Sequence, residues 1–430
     1  MSASRELVES GVEWLDRLPN DWTVVSIGRE CWVRARLGWK GLKADEYVDD
    51  GGYPMLSTPD IKGRDIGFQS AARITKARFD ESPEIKLQVD DVLLTKDGST
   101  IGTANIVRDL PEPTTLNGSI ALLTPSRKLD GRYLYYVIVS QYAQAVFDRL
   151  RGGAGVPHLF QRDINRIRIP LPPLNEQCAI ADFLDYETAQ IDTLVARQEE
   201  FIGLLQERRL GTIRAATGWG RSIPVGWTKV RLSHLFKATG SGTTPTNEDI
   251  LDSVAGDVAW VTTSELRERQ IESTQRAVSF STVERYSALK VYPAGTLLVA
   301  MYGATIGRTG FLAVPAATNQ ACCALVGPVG ASAEFVEYSL IAAREWLLLE
   351  ASGGGQPNIN QDKIRAFRIP VPSFAEQREI VTHIKEQVTR IDALIAKAEG
   401  HIALAKERRA ALITAAVTGQ IDVRTARKAS

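Results

Sequence analysis

Pro59-Asp60 followed by Glu84-Ile85-Lys86 has the form PD…ExK. In that pattern two carboxylates hold a metal ion and the lysine supports an attacking water. The pattern is short and recurs by chance, and the chain's own duplication argues against it. A second copy lies 205 residues downstream, where the triplet meets Leu289-Lys290-Val291. The match is read as accidental. No GxxxxGK[ST] loop is present to cradle ATP phosphates, and no GxGxxG opens a helix. Neither an Asn-Pro-Pro-aromatic nor an Asp-Pro-Pro-aromatic motif, expected of a DNA amino-methyltransferase, occurs. His158, His234, His383 and His401 have no metal-ligand spacing to one another; His401 falls on a helical seam and reads as a packed or half-exposed side chain. Cys31, Cys178, Cys322 and Cys323 form no CxxC pair, so neither a zinc site nor a disulfide framework is expected. The chain is expected to be no enzyme, with no metal and no cofactor of its own.

The elements have no catalytic cluster to position. The 430 residues suggest two to four domains, and a hydrophobic share of 44% suffices for ordinary cores. No apolar run is long enough for a membrane span, and the opening MSASRELVES lacks the apolar core of a secretory signal. A reduced, cytoplasmic protein is expected. Lys+Arg and Asp+Glu are both 51, so the formal net charge is zero. That weighs against a simple basic DNA-binding module, unless local patches or a partner supply the phosphate contacts.

The chain is written twice. PHLFQRDINRIRIPLPPLNEQCAIADFLD from Pro157 is answered by PNINQDKIRAFRIPVPSFAEQREIVTHIK from Pro357, an offset of 200 that runs without a gap to Ala215-Ala216 and Ala415-Ala416. Those 60 positions hold 23 identities, against roughly four expected from average usage. Upstream the repeat is fainter, at offset 205: Pro19…Trp22 answers Pro224…Trp227, and Gly98-Ser-Thr-Ile-Gly102 answers Gly303-Ala-Thr-Ile-Gly307. The order is variable, matched, variable, matched.

The matched parts predict two long helices, over 175–216 and 375–417. Ile180, Leu184, Ile191, Leu194, Phe201 and Leu205 fall at spacings of a heptad seam, as do Ile380, Ile384, Ile391, Leu394 and Leu412. Glu187/Gln387 and Arg208/Arg408 weaken it. Prolines 170, 172, 173, 370 and 372 bar an earlier start. Ser373 with Glu376 fits a capping box and Asn175 is a candidate cap for the first copy, while Gly218 and Gly419 supply stops. A narrow stripe flanked by charges suits two helices packed antiparallel on each other better than burial in a globular core.

The variable parts read as mixed α/β. Strands are expected in 89–96 and 295–303, and amphipathic helices at 132–151 and 333–351, each followed by a glycine tract. Three pairs of polar turns are candidate DNA contacts. The first is Thr58, Asp60, Lys62 and Arg64, against Thr263, Glu265 and Arg267. The second is Lys96, Asp97, Ser99 and Thr100, against Tyr302 and Thr305. The third is Arg151 and Gln161, against Gln356, Asn358 and Asn360. Asn and Gln can bridge adenine and Arg guanine, while Thr, Ser and Lys more often hold phosphates. The plainer reading of each is a turn former with a solvated tip.

PLPPLNEQCAIADFLDYETAQIDTL (170–194) and PVPSFAEQREIVTHIKEQVTRIDAL (370–394) resemble the two conserved regions of type I restriction–modification specificity subunits. KERRAALITAAVTGQIDV (406–423) resembles that family's ending, and GVEWLDRLPNDWTVVSIG (11–28) and SIPVGWTKVRLSHLF (222–236) resemble the openings of its two target-recognition domains. Trp219 is a departure, since the first copy lacks the fuller TG-x-ID ending.

The resemblance implies two mixed α/β (α+β) target-recognition domains separated by two long helices packed as an antiparallel coiled coil, with an internal pseudo-twofold repeat. It divides the chain into recognition domain 1 (1–168), spacer helix 1 (169–218), recognition domain 2 (219–368), and spacer helix 2 with the tail (369–430). Each recognition domain would read one half of a bipartite, asymmetric double-stranded DNA site. The helical pair would set the spacer and dock two methyltransferase subunits, which restriction subunits join. AdoMet, ATP and Mg would be used by those partners. Two other readings stay open here: a stand-alone nuclease or modification enzyme, and a coiled-coil scaffold whose twin domains bind protein.

Overall fold

A computed structural model describes residues 6–12, 15–36, 42–151, 157–220, 223–253, 257–352 and 357–426. The chain forms two compact units, Met1–Gln198 with Gly400–Ser430, and Glu199–Glu399. Each holds a globular part, the first half of one long helix and a portion of the other.

In the first unit, Cys31–Arg34, Ile120–Pro125, Val92–Thr95 and Ala104–Ile106 form an antiparallel sheet in that order. The run Val92-Leu93-Leu94 is apolar throughout because both faces of this sheet are covered. Successive side chains point to opposite sides. Val92 and Leu94 enter a core with Tyr133, Leu134 and Val137 of the helix Gly131–Val139. Leu93 enters a second core with Leu56, Ile61 and Ile85. A further sheet has the order Thr115–Leu116, Tyr53–Leu56, Ala72–Ile74, Tyr47–Val48, with the first two strands parallel. Thr23–Ser26 pairs antiparallel with Arg168–Leu171, joining the opening of the domain to the segment that leads into the long helix.

The second unit repeats this plan. Phe236–Ser241, Cys322–Pro328, Leu297–Ala300, Thr309–Leu312 and Gln270–Ile271 form one sheet. Leu297 and Val299 face one core and Leu298 and Ala300 the other. Thr228–Arg231 pairs with Arg368–Val371 as its counterpart does. The expected helix over 132–151 is two, Gly131–Val139 and Gln141–Leu150. Ser140 lies extended between them, and its Oγ accepts from the Ala143 amide, restarting the helix. The helix expected over 333–351 likewise divides into Ala333–Ala342 and Arg344–Leu349.

The long helices span Leu174–Ala216 and Phe374–Val417. Ser373 caps the second, its Oγ accepting from the Glu376 amide at 3.3 Å. The Glu376 carboxylate accepts from the Trp227 indole at 3.0 Å instead of closing a box. Asn175 is not a cap, because the helix already begins at Leu174 and the Pro173 carbonyl accepts from the amides of Glu176 and Gln177. Gly218 and Gly419 end the helices in the left-handed region, at φ +73° and +70°.

Within each unit the helix segments run antiparallel. In the first, Asp192 pairs with Arg409 at 3.0 Å, and Gly419 lies against Trp22, whose indole donates to Glu176. In the second, Arg209 pairs with Asp392 at 3.2 Å, and Gly218 lies against Trp227, whose indole donates to Glu376.

The covered stripe differs in part from the expected seam. Ile180, Leu184, Ile191, Leu205, Ile384 and Ile391 are buried, and Ile380 and Leu412 are partly buried against the cores. Leu194, Phe201 and Leu394 are instead 47%, 41% and 45% exposed. Val195, Ile202 and Ile395, the next residue in each case, are the half-buried ones. The sequence offers two adjacent apolar residues at each point, and one residue turns a helix by about 100°. Thr188 and Val388, not the neighbouring Glu187 and Gln387, take the covered positions, and His401 is exposed beside half-buried Ile402.

Candidate DNA interface

The repeated Glu-Gln pair at the start of each long helix is a structural lock. The Gln177 side chain is fully buried; its Oε1 accepts from the Asp130 amide at 2.9 Å, and its Nε2 donates to the carbonyls of Pro172 at 2.8 Å and Lys128 at 3.0 Å. Gln377 repeats this with the Ser332 amide at 2.8 Å and the carbonyls of Pro372 at 3.1 Å and Gly330 at 3.5 Å. Each glutamine thereby fixes a long helix to the cap of the helix that lines the main core.

Charged contacts beside these locks have opposite polarity in the two units. Arg132 reaches Asp182 at 2.8 Å and Asp185 at 3.2 Å, whereas Glu334 takes Lys385, the residue 200 after Asp185. In the second unit Arg209 also holds Glu268 at 3.0 Å, and so ties the first candidate turn to the helices. Nearby Glu337 is buried and accepts from the Thr309 hydroxyl at 3.1 Å; burial pushes its carboxyl up to about 7.

In the first unit the candidate turns converge on one edge of the sheets. Residues Thr58–Ile61 form a 3-10 turn whose Asp60 carboxylate accepts from the Ser57 amide at 2.8 Å and the Ser57 hydroxyl at 2.5 Å. Asp60 is committed to a capping box, and the Lys86 amine pairs with Asp80 at 2.8 Å. Neither is arranged for PD…ExK metal chemistry. Buried Asn105 donates to the carbonyls of Ile61 and Gly63, both at 3.2 Å, and holds the loop from which Lys62 and Arg64 project into solvent.

Thr95 donates to the Thr58 hydroxyl at 3.5 Å, which brings the second turn beside the first. The third turn joins by a bridge between Asp97 and His158: the Gly98 amide donates to Pro157 and the Leu159 amide to Lys96. Asp97 is shared between the Lys96 amine at 2.7 Å and the His158 ring. Ser99 and Thr100 are exposed at the tip. Gln161 donates to the Val33 carbonyl at 2.7 Å, and Arg151 pairs with Asp148 at 2.6 Å at the end of its helix.

In the second unit the second and third turns meet as in the first, with other side chains. Glu265 caps its own turn, accepting from the Thr262 amide at 2.8 Å and the Gln275 amide at 2.9 Å. Thr263 is half-buried in that turn and Arg267 is exposed. Glu265 and Arg267 line an open polar cleft of about 710 Å3 with Arg269 and Gln275. Tyr302 bridges to Asn358, with the Gly303 amide donating to Pro357 at 2.8 Å. Thr305 donates back to the Tyr302 carbonyl at 2.8 Å, and Asn360 caps the helix Gln361–Ala366 through the Lys363 amide at 2.9 Å. Gln356 and the two glycine tracts lie outside the described residues.

Two parts of this edge were not read from sequence. Asn117 and Asn319 each follow a short strand and turn the chain there, their Oδ1 atoms accepting from the amides of Ser119 at 3.0 Å and Ala321 at 3.2 Å. His158 and Phe160 join the first unit's cluster. The offsets pair His158 with Asn358, a signal that could have placed it. Among the described residues no group of three or more His, Cys, Asp or Glu is arranged to hold a metal ion, and no helix is long and apolar enough to cross a membrane.

Residues 19–200 and 224–399 match the family model described as the type I restriction modification DNA specificity domain. The chain belongs to this family. Among specificity-family relatives, the type I restriction enzyme EcoBI specificity subunit of Escherichia coli is 21% identical, over 98% of this chain and 90% of that protein. The MjaVIII specificity subunit of Methanocaldococcus jannaschii is 26% identical over 95% of each. The fold is shared with a chain from a structure of the assembly and conformational transition of the type I restriction–modification system, at TM-score 0.67 and 17% identity, covering 94% of this chain and 99% of that one. It is also shared with the HsdS subunit of Thermoanaerobacter tengcongensis, at TM-score 0.50 and 16% identity, covering 94% and 98%.

Proposed function

We propose that this specificity-family chain is the non-catalytic DNA-reading subunit of a type I restriction–modification complex. Each unit reads one half of a bipartite, asymmetric double-stranded DNA site. The observation that carries this is the twofold recurrence of one scaffold with different tips: Lys96, Asp97 and His158 at the bridge of the first unit, Tyr302 and Asn358 at that of the second. Equivalent frames place unlike donors and acceptors, which is what reading two different half-sites requires. Lys62, Arg64, Arg267 and Arg269 are exposed cations in and beside the first turn of each unit and serve as phosphate or guanine contacts.

The long helices set the spacer between half-sites and dock two methyltransferase subunits, which restriction subunits join in the cytoplasm. Exposed apolar side chains on each long helix support docking. Leu194, Phe201 and Leu204 on the first helix and Leu394 and Leu404 on the second are large, exposed and spaced along their helices. Methyl transfer and cleavage, with AdoMet, ATP and Mg, belong to the partners, and a neutral chain leaves part of the phosphate contact to them.

The test is binding to a random duplex library, with and without the methyltransferase partner, across a salt series. Sequence-selective binding that strengthens with the partner is expected. Equal binding to every sequence, or metal-dependent cleavage by the purified chain that Asp60→Ala abolishes, would refute the proposal.

A further inference from the structure

Phe160 stands where folding alone would place another residue. It is the N-cap of the helix Gln161–Arg166, it makes no side-chain cap hydrogen bond, and the residue is 45% exposed. The equivalent residue of the second unit, Asn360, caps its helix through the Lys363 amide. Phenylalanine is a poor N-cap and asparagine among the best. The first unit therefore gives up a cap and exposes a large apolar ring at the edge where its turns converge.

The ring is also held. The Arg162 guanidinium lies 4.9 Å from its centroid, over the ring, and the His158 ring stands at 72° to it with centroids 4.6 Å apart. His158 is fixed in turn by Asp97, which also takes the Lys96 amine. A ring with a guanidinium over one face cannot lie sandwiched between two bases through both of its faces. The exposed part of the residue remains for contact. In the major groove, the base feature that offers apolar contact is the C5 methyl of thymine.

We propose that Phe160 is a specificity-determining residue of the first unit, its exposed part packing on a thymine C5 methyl while Lys96, Asp97, His158 and Arg162 hold it in place. This rests on the DNA-reading function above and adds a base to it. The contact is confined to one half-site, because Asn360 in the second unit is a polar cap.

The experiment uses the full chain with its methyltransferase partner and duplexes of the sequence that the wild-type complex selects. Each thymine is replaced singly by deoxyuridine, which removes only the methyl. One replacement, in one half-site, should weaken wild-type binding about three- to fivefold, the worth of one buried methyl. Phe160→Asn, which restores a cap and so keeps the fold, should bind thymine and uracil equally there and leave the other half-site unchanged. Phe160→Leu should keep part of the preference. The inference is overturned if no thymine is sensitive, or if Phe160→Asn keeps the wild-type ratio. A wild-type complex that selects no sequence would instead overturn the DNA-reading function, and this inference with it.

Discussion

Gln177→Leu changes little volume but removes one acceptor and two N–H donors carried on a fully buried side chain. The Asp130 amide and the carbonyls of Lys128 and Pro172 lose their glutamine partner together. An unpaired buried backbone group costs about 1–3 kcal/mol; the Pro172 carbonyl is buried and the other two groups are part-buried, so about 3 kcal/mol in all is expected. That corresponds to loss of roughly 100-fold in protection of amides that open with the lock. Because a chain of two units need not unfold in one step, the assay is native-state hydrogen exchange read peptide by peptide. Loss of protection should concentrate in 128–139 and at the start of the first long helix, and spare 332–342. Gln377→Leu should give the reverse pattern, and the double variant should show both losses. A Gln177→Leu chain with unchanged protection at 130–136, or one that loosens both units equally, would refute the assignment of this residue as a lock.

Three further outcomes are expected. The Glu337 carboxyl is raised from its ordinary 4.5 to about 7, so the folded chain keeps a proton that the unfolded chain releases. Its contribution is full below about 4.5 and is lost as pH rises through about 7. Glu337→Gln should flatten that decline and stabilise the second unit at pH 8 by up to about 3 kcal/mol, measured by thermal melts from pH 5 to 8; a flat wild-type profile would contradict this. Asp192→Arg should destabilise the first unit slightly and Arg409→Asp should restore it, with a coupling of about 0.5–1 kcal/mol in a double-mutant cycle, because the pair is about a third exposed. Deleting 195–201 together with 395–401 keeps the seam phase and both Asp–Arg pairs, and removes about 10 Å of helix, equal to about three base pairs of rise. The preferred spacer should shorten by that amount once assembly is confirmed; an unchanged spacer would assign the spacing to the partners.

The duplication made the helices legible: a gapless offset and glycine stops set their ends to within a residue or two. The seam was legible only in period, because Leu194-Val195, Phe201-Ile202 and Leu394-Ile395 each offer two apolar residues for one covered position. The Glu-Gln lock was visible as a repeated motif but not as a contact, since Glu176 meets Trp22 across 154 residues and Gln177 meets Asp130 across 47. The candidate turns were found from their shared positions in the two copies. Which of their side chains cap and which face solvent was not, because the same polar residue types serve both: Asp60, Glu265 and Asn360 hold their own turns, while Lys62, Arg64 and Arg267 face solvent. The parallel pairing of Thr115–Leu116 with Tyr53–Leu56 left no local signal, because it joins segments some 60 residues apart.

The most direct measurement of the central claim is the sequence selected from a random duplex library by the complex of this chain with its methyltransferase partner. Selection is then repeated after residues 257–352 are replaced by those of another family member. Two short fixed blocks separated by a constant gap of unselected bases are expected, and the replacement should change one block and leave the other intact. A single contiguous block, or a replacement that alters both blocks together, would contradict a chain whose two units read DNA independently.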